Sequence, residues 1–287
     1  MLKKILKLIK RDGVLVFSRK AVFYLYSIIV GRILSFTSLW FTFNGRTHRR
    51  RMFLSKELYA SMNGTVGYGP FKGFKLNLDY VWGRADLCAM LFGLYEKEIL
   101  DIISQKDRVQ HKTIINLGAA DGYYGIGCLI NRLFEKSYCY ELTEYGRSNI
   151  RHGAEINGIK SNLIIKGIAT KVFYEELIAE GVDLSDSLLL CDIEGAEFDV
   201  FTEDTFRAFK GATILIEIHD WCEGGFEKYK KLKKLGEKYF HSTEIRTGTR
   251  DLSKFTELEN YYDSDRWIIC GEGRGKLGKW LLLESVK

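Results

Sequence analysis

The 287-residue chain is 46% hydrophobic and contains one proline and six scattered cysteines, none of them in a Cys-x-x-Cys pair. This composition predicts a globular body with a sizeable core in a reducing, cytoplasmic compartment, and it excludes long proline-rich linkers, a disulfide framework and a cysteine zinc site. The charge is unevenly divided. Residues 1–51 hold 12 Lys and Arg against one acid and carry a net charge of +11, whereas the whole chain carries only +6 because the remainder is net acidic. We therefore predict a basic arm over residues 1–60 and a globular domain over residues 61–287.

The arm combines cations with apolar residues. It begins with "MLKKILKLIKR", in which four apolar residues fall on one helical face and five Lys and Arg occupy the rest. Residues 21–43 follow as an apolar, aromatic-rich run with Arg32 near its centre and basic residues on both flanks. The central charge and the like-charged flanks argue against a membrane span. Two interpretations are favoured over a span, which stays the third alternative: peripheral contact of residues 1–51 with the anionic inner face of a membrane, and helices packed on the body or in an oligomer interface.

From residue 112 onward, short apolar runs alternate with segments of helical periodicity. The predicted strands are, in chain order, KTIINL, SYCYE, NLIIK, SLLLCD and TILIEI, with HSTEIR, RWIIC and KWLLLE as candidates for closing edge strands. Alternating strands and helices predict an α/β fold, a doubly wound and mostly parallel sheet with an N-terminal helical extension. Ligands of such sheets bind at the carboxyl ends of the strands. The residues at those ends are 118–122, 141, 167–169, 192–194 and 217–220.

The first strand end continues into "INLGAADGYYGIG", residues 115–127, with four glycines. Neither Gly-x-Gly-x-x-Gly nor a phosphate-loop Gly-Lys-Ser/Thr is present, and Asp121 would repel a pyrophosphate. The loop therefore favours a cationic ligand without phosphate, and S-adenosylmethionine fits this description. Gly118 would let the backbone approach its methionine part, Asp121 would accept from its ammonium, and Glu141 would bind the ribose diol. The alternative is that the glycines only form a tight strand–helix turn.

The glycine loop resembles motif I of class I S-adenosylmethionine-dependent methyltransferases, and more narrowly the FkbM-type family. Its pieces recur in order over residues 65–287: GPFKGFKL, GLYEKEI, the loop itself, EINGI, CDIEGAEFDVF, IEIH and EGRGKLGKWLLLESVK. The most specific piece is DIEGAE. The sequence departs from the family pattern at Asn116, where an acid is usual, and at Leu142 and Gly275, where proline is common.

This resemblance implies a binding site for S-adenosyl-L-methionine. The predicted cofactor-binding residues are Asn116, Gly118, Ala119, Asp121, Gly122, Tyr123, Glu141, Leu142, Ile168 and Asp192. Two aromatic pairs, Tyr123 with Tyr124 and Trp82 with Tyr95, either line the pocket or belong to the core.

Three residues are predicted to carry the chemistry. Methyl transfer needs in-line positioning, and a hydroxyl acceptor must also lose its proton. His219 is the predicted base because the unperturbed imidazole pKa lies near neutrality, and Asp192 and Glu194 are the predicted catalytic acids beside it. In the alternative interpretation His219 only bonds a backbone carbonyl. Asp192, Glu217 and His219 are also candidates for a divalent cation site, although no metal is assigned.

The predicted function is O-methylation of a hydroxyl on a glycan, glycolipid or secondary-metabolite acceptor, as the resemblance implies. One rival is an RNA methyltransferase with residues 1–51 as a phosphate-binding arm, which the apolar content of the arm and the acidic body disfavour. A second rival is a catalytically inactive methyltransferase-like scaffold, supported by Asn116. We expect a cytoplasmic protein, placed at the inner face of the membrane where the arm binds lipid.

Overall fold

The computed structural model describes residues 26, 29–34, 42–77, 84–105, 111–159 and 161–285. Contacts between residues divide the chain into two compact units, residues 1–52 and residues 53–287. The predicted amphipathic helix over "MLKKILKLIKR" lies outside the described residues. Among those described, no helix has both the length and the apolar character that crossing a bilayer requires.

Seven strands form one mixed sheet in the second unit. They are β1 (Thr113–Leu117), β2 (Lys136–Tyr140), β3 (Leu163–Lys166), β4 (Ser187–Cys191), β5 (Thr213–Glu217), β6 (Phe240–Arg246) and β7 (Lys279–Ser285). Their spatial order is β3-β2-β1-β4-β5-β7-β6. The first five pair in parallel, and β7 runs antiparallel between β5 and β6. The predicted doubly wound, mostly parallel sheet is confirmed, and the strand order reverses between β1 and β4, where ligands of such sheets bind.

The helices connect the strands and precede the sheet. They are α1 (Phe43–Ser61), α2 (Leu87–Leu91), α3 (Lys97–Ile103), α4 (Tyr123–Ile130), α5 (Glu144–Ile156), α6 (Phe173–Ala179), α7 (Glu197–Val200), α8 (Glu203–Ala208), α9 (Gly225–Gly236) and α10 (Asp263–Cys270). Short 3-10 turns cover Leu184–Asp186, Leu252–Lys254 and Thr256–Leu258.

One candidate edge strand was wrong. RWIIC forms the end of α10, whereas HSTEIR and KWLLLE lie in β6 and β7. Asp263 and Asp265 occupy the first turn of α10, where negative side chains stabilise the positive end of a helix. Ile269 and Cys270 are buried on one side of that helix, so an apolar run as short as RWIIC did not distinguish a strand from a helix.

The sheet is buried on both faces. Alternate residues of a strand point to opposite sides, and the central strands divide accordingly between two hydrophobic clusters. Leu188 and Leu190 of β4 belong to one cluster, and Leu189 and Cys191 belong to the other. This two-sided burial explains why the strands appear in the sequence as continuous apolar runs. The carboxyl ends of the strands, which neither helical layer covers, are left as the place where a ligand can bind.

Candidate functional site

The glycine loop folds tightly over the ends of three neighbouring strands. Gly118 has φ +78°, and a Cβ at this position would stand 1.7 Å from the carbonyl oxygen of Asp192, so only glycine fits. The amides of Gly118 and Ala119 both donate to the carbonyl of Tyr140 at 2.9 Å. Gly122, at φ +87°, precedes α4 as its N-cap. The loop is thereby pinned to the ends of β2 and β4.

A cleft of about 360 Å³ opens beside this loop. It gathers residues from the ends of β1 to β4 together with the segment around α2. Nine of the ten predicted cofactor residues line it: Asn116, Gly118, Ala119, Asp121, Tyr123, Glu141, Leu142, Ile168 and Asp192. The tenth, Gly122, is the N-cap described above. Residues separated by up to 76 positions in the sequence therefore share one cleft.

Two side chains in the cleft hold buried polar atoms without a hydrogen-bond partner among the described residues. They are Asn116, through its amide oxygen and nitrogen, and Tyr123, through its hydroxyl. Asn116 is only 1% exposed. Buried polar groups in folded proteins are nearly always bonded, because leaving one unpaired costs about 1–3 kcal/mol. Their convergence on one cleft indicates a ligand that offers both donors and acceptors.

Glu141 is held firmly at the end of β2. One carboxylate oxygen accepts from the amide of Ala120 at 3.1 Å, and the other accepts from the amide and the hydroxyl of Thr143 at 2.8 and 2.7 Å. A Cβ on Gly146 would stand 2.5 Å from the Cγ of Glu141, so glycine makes the room that this side chain occupies. Sequence reasoning missed Gly146, and the available signal was a glycine in the first turn of a helix, where it weakens helix stability.

Apolar side chains border the same cleft. Leu142 and Ile168 follow β2 and β3, line the cleft and are 65% and 62% exposed. Large apolar side chains exposed together at a cleft indicate a flat apolar group as their partner. Of the predicted aromatic pairs, Tyr95, Tyr123 and Tyr124 line the cleft, and Trp82 lies outside the described residues.

His219 lies two residues after the end of β5 and is held by Glu197. The Nδ1 of His219 lies 3.1 Å from the Oε1 of Glu197, which also accepts from the His219 amide at 2.9 Å. Glu197 is fully buried, and its second oxygen accepts from the amide of Gly195 at 2.8 Å. The ring is thus oriented by a carboxylate rather than by the backbone carbonyl that the alternative interpretation supposed.

The opposite ring nitrogen faces three acids. The Nε2 of His219 lies 3.4 Å from Asp192, 3.6 Å from Glu194 and 3.9 Å from Glu217. The structure therefore brings together all the predicted catalytic and metal-candidate residues. Ligand atoms of Asp192, Glu194 and His219 lie within 4.8 Å of one another and could hold a metal ion, whereas Glu217 instead contacts the guanidinium of Arg274.

Burial shifts the ionisation of this cluster. It raises the pKa of Asp192 to about 6, against the attraction of His219 and with the repulsion of Glu194. Burial and the charge of Asp192 raise the pKa of Glu217 to about 10. Burial disfavours the charged imidazole of His219, but the hydrogen bond and charge of Glu197 outweigh it and raise the pKa of His219 above its ordinary value. Titratable groups perturbed in this way beside a cleft are typical of functional sites.

A buried ionic network borders the acids, and sequence reasoning missed it. Arg274 pairs with Glu96, Glu217 and Glu272. Arg250 pairs with Glu272 at 2.7 Å and also with Glu98. The network ties the segment before α3 and the end of β5 to the glycine-rich closing segment. Four of its members lie in the quoted pieces GLYEKEI and EGRGKLGKWLLLESVK, but the sequence does not indicate that they pair, because the partners come from distant parts of the chain.

Trp221 is a second feature that the sequence did not single out. It lies two residues after His219, and its ring packs edge-on against the imidazole with the ring centroids 4.6 Å apart. The side chain is 55% exposed, and the ammonium of Lys276 lies 5.6 Å from its centroid. Because the indole of Trp221 is exposed beside the acid cluster, a ligand bound at His219 could pack against its ring.

The sequence matches no protein-family model and no curated protein significantly. Among solved structures, the O-methyltransferase from Bacillus cereus in complex with SAH is 10% identical, with a TM-score of 0.45 and coverage of 82% of this chain and 90% of that one. The tRNA methyltransferase TrmK from B. subtilis is 9% identical, with a TM-score of 0.41 and coverage of 67% and 66%. At such identities and TM-scores, these similarities carry no argument about reaction or ligand.

Proposed function

We propose that this protein is an S-adenosylmethionine-dependent methyltransferase that methylates a hydroxyl oxygen, as its resemblance to the FkbM-type family suggests. The observation that carries the proposal is the set of unpartnered polar atoms beside the glycine loop, on Asn116 and Tyr123. They lie in a cleft that also offers a fixed carboxylate and a pair of exposed apolar side chains. This combination fits a ligand that is zwitterionic at one end, carries a diol and ends in a flat base.

Each part of the cofactor would have a partner in this cleft. The amide of Asn116 offers a donor nitrogen and an acceptor oxygen, which suits an amino-acid group carrying both an ammonium and a carboxylate. Glu141 would accept from the ribose hydroxyls, and Leu142 and Ile168 would cover the adenine. The replacement of the usual acid by Asn116 therefore does not argue for an inactive scaffold, because the neighbouring Asp121 and Asp192 still supply negative charge.

His219 would serve as the base for the acceptor. The bound cofactor supplies an electrophilic methyl group on a sulfonium, and the acceptor hydroxyl must release a proton as its oxygen takes that methyl. The Nε2 of His219 would receive the proton, while Glu197 holds the opposite nitrogen at 3.1 Å and stabilises the imidazolium that forms. Asp192 and Glu194 stand beside Nε2 and would orient the hydroxyl.

The acceptor we propose is a saccharide or glycolipid rather than RNA. The exposed ring of Trp221 beside His219 suits stacking against a sugar. The ionised acids beside Nε2, Asp192 and Glu194, would repel a phosphodiester backbone. A hydroxyl on a neutral ring can approach them without that cost.

The first test is cofactor binding, measured by calorimetry. We expect wild-type protein to bind S-adenosylmethionine and Glu141→Ala to bind it more weakly by about 1.5–3 kcal/mol, the range for a hydrogen bond to a charged group. The matched control is Glu155→Ala, an 83% exposed carboxylate on α5, which should leave the affinity unchanged. A folded wild-type protein that binds no cofactor would overturn the proposal in favour of a scaffold.

The second arm of this test identifies the acceptor. The protein is incubated with labelled methyl donor and with separate lipid, glycan and RNA fractions. We expect label in the glycan or lipid fraction. Label in RNA alone would overturn the proposed acceptor class, and full activity of His219→Ala would overturn the proposed base.

A further inference from the structure

The described residues of the first unit expose apolar side chains from helical backbone. Residues 26 and 29–34 are helical, and Tyr26, Ile29, Ile33 and Leu34 are 63%, 52%, 55% and 62% exposed. Within residues 29–34, the spacing of four and one places Ile29, Ile33 and Leu34 on one side of the helix. Soluble proteins rarely expose contiguous apolar surface unless it contacts a partner.

Cations accompany this apolar face. The first turns of α1 present Phe43, 75% exposed, and the exposed Arg46 and Arg50 at helical spacings of three and four. Residues 1–51 hold 12 Lys and Arg against one acid. Apolar side chains and a concentration of positive charge therefore occur in the same short unit, whereas the rest of the chain is net acidic.

We infer that the first unit docks on an anionic lipid surface through its described residues 26, 29–34 and 42–52. The exposed apolar side chains of Tyr26, Ile29, Ile33 and Leu34 enter the boundary between headgroups and acyl chains, and the neighbouring Arg residues bind lipid phosphates. The contact we propose is peripheral, as expected of an amphipathic segment that lies in the interface. This inference does not depend on the proposed reaction.

The exposed side chains favour lipid over RNA as the partner. A basic arm that binds RNA works through its cations and through stacking on aromatic rings. Ile29, Ile33 and Leu34 offer neither, and they would stay in contact with water on a phosphodiester surface. On a bilayer the same side chains leave the water, which is the main favourable term for an interfacial helix.

The test uses the full chain and co-sedimentation with vesicles of phosphatidylcholine alone or mixed with phosphatidylglycerol. We expect binding to the anionic vesicles that weakens with salt, and we expect Ile29→Glu/Ile33→Glu to lower the partition coefficient by about tenfold or more. The matched control is Ile178→Glu/Tyr262→Glu, which adds the same charge at positions 53% and 81% exposed on the second unit. This control should bind as wild type does.

Three results would overturn the inference. Binding of Ile29→Glu/Ile33→Glu at the wild-type level would show that the apolar face does not enter the bilayer. Equal loss in the control would show that charge alone governs the contact. Binding of wild-type protein to random-sequence RNA but not to vesicles would assign the arm to nucleic acid. Circular dichroism checks that the variants fold, and Ile29→Ser/Ile33→Ser replaces the Glu variant where it does not.

Discussion

At the scale of single residues, the ionisation of His219 is the sharpest consequence of the site. Glu197 lies 3.1 Å from its Nδ1 and raises the pKa of the imidazole against the effect of burial. We predict that His219 titrates above the ordinary imidazole value of about 6.5 and that Glu197→Gln lowers its pKa by removing the charge. The measurement is a magnetic-resonance titration of histidine-labelled protein, which is tractable because the chain has five histidines. It needs no knowledge of the acceptor.

His111 is the internal control for that titration. Burial lowers its pKa against the charge of Asp186, so it should titrate on the opposite side of the ordinary value and should not respond to Glu197→Gln. Because a base must be neutral to take a proton, turnover should rise with pH through the His219 value, and His219→Ala should lower turnover by about 10²–10⁴-fold. Activity that falls with a chelator, returns with Mg²⁺ and is lost equally in Asp192→Asn would instead indicate a metal ligand.

At the scale of elements, the first turn of α5 is shaped to admit Glu141. Thr143 caps the helix by accepting from the amide of Gly146 at 3.0 Å, and the missing side chain of Gly146 leaves space for the carboxylate. We predict that Gly146→Ala weakens S-adenosylmethionine binding by up to about 1.5–3 kcal/mol, because the methyl group displaces Glu141. Calorimetry measures this, and Gly31→Ala, a helical glycine with open space around its Cβ, is the control. Unchanged affinity in Gly146→Ala would mean that Glu141 does not bind the ribose.

The same scale explains what the sequence could and could not predict. β1 to β5, β6 and β7 were predictable because apolar runs and glycine-rich turns are local signals. The helix that contains RWIIC was not predictable, because five apolar-rich residues suit a strand or a helix. Asp263 and Asp265, in the first turn of α10, favour the helix. The hydrogen bond between His219 and Glu197 joins residues 22 positions apart in the sequence, and the ion pair of Arg274 with Glu96 joins residues 178 positions apart. Contacts of that kind depend on the assembled fold, which no spacing rule contains.

At the scale of the whole molecule, buried acids set the dependence of stability on pH. Unfolded Asp and Glu titrate near 3.9 and 4.3. In the folded protein, burial raises the pKa of Asp192 to about 6, of Glu272 to about 7 and of Glu217 to about 10. Between about pH 4.5 and 8 the folded state therefore binds more protons than the unfolded chain, and the free energy of unfolding falls as pH rises.

The histidines modify this slope in opposite directions. The raised pKa of His219 contributes stability that is present below about pH 6.5 and is lost as pH rises through the folded value, so it has the same sign as the buried acids. The lowered pKa of His111 has the opposite sign and offsets part of the effect. Below about pH 4.5 the lowered pKa values of Glu98 and Glu197 take over, because protonating these carboxylates removes stability. The stability maximum should accordingly lie near pH 5.

We predict that the melting temperature of the ligand-free protein falls steadily from pH 5 to pH 8 in thermal unfolding followed by circular dichroism. Glu217→Gln should flatten this slope, because the amide replaces a carboxyl that the folded state prefers to keep protonated. Glu227→Gln, on a 67% exposed side chain, is the matched control and should leave the slope as it is. A melting temperature that rises over this range would show that the acids around His219 are not buried as described. Addition of S-adenosylmethionine should stabilise the protein most at the high end of the range, since a cation in the cleft offsets the repulsion between ionised carboxylates.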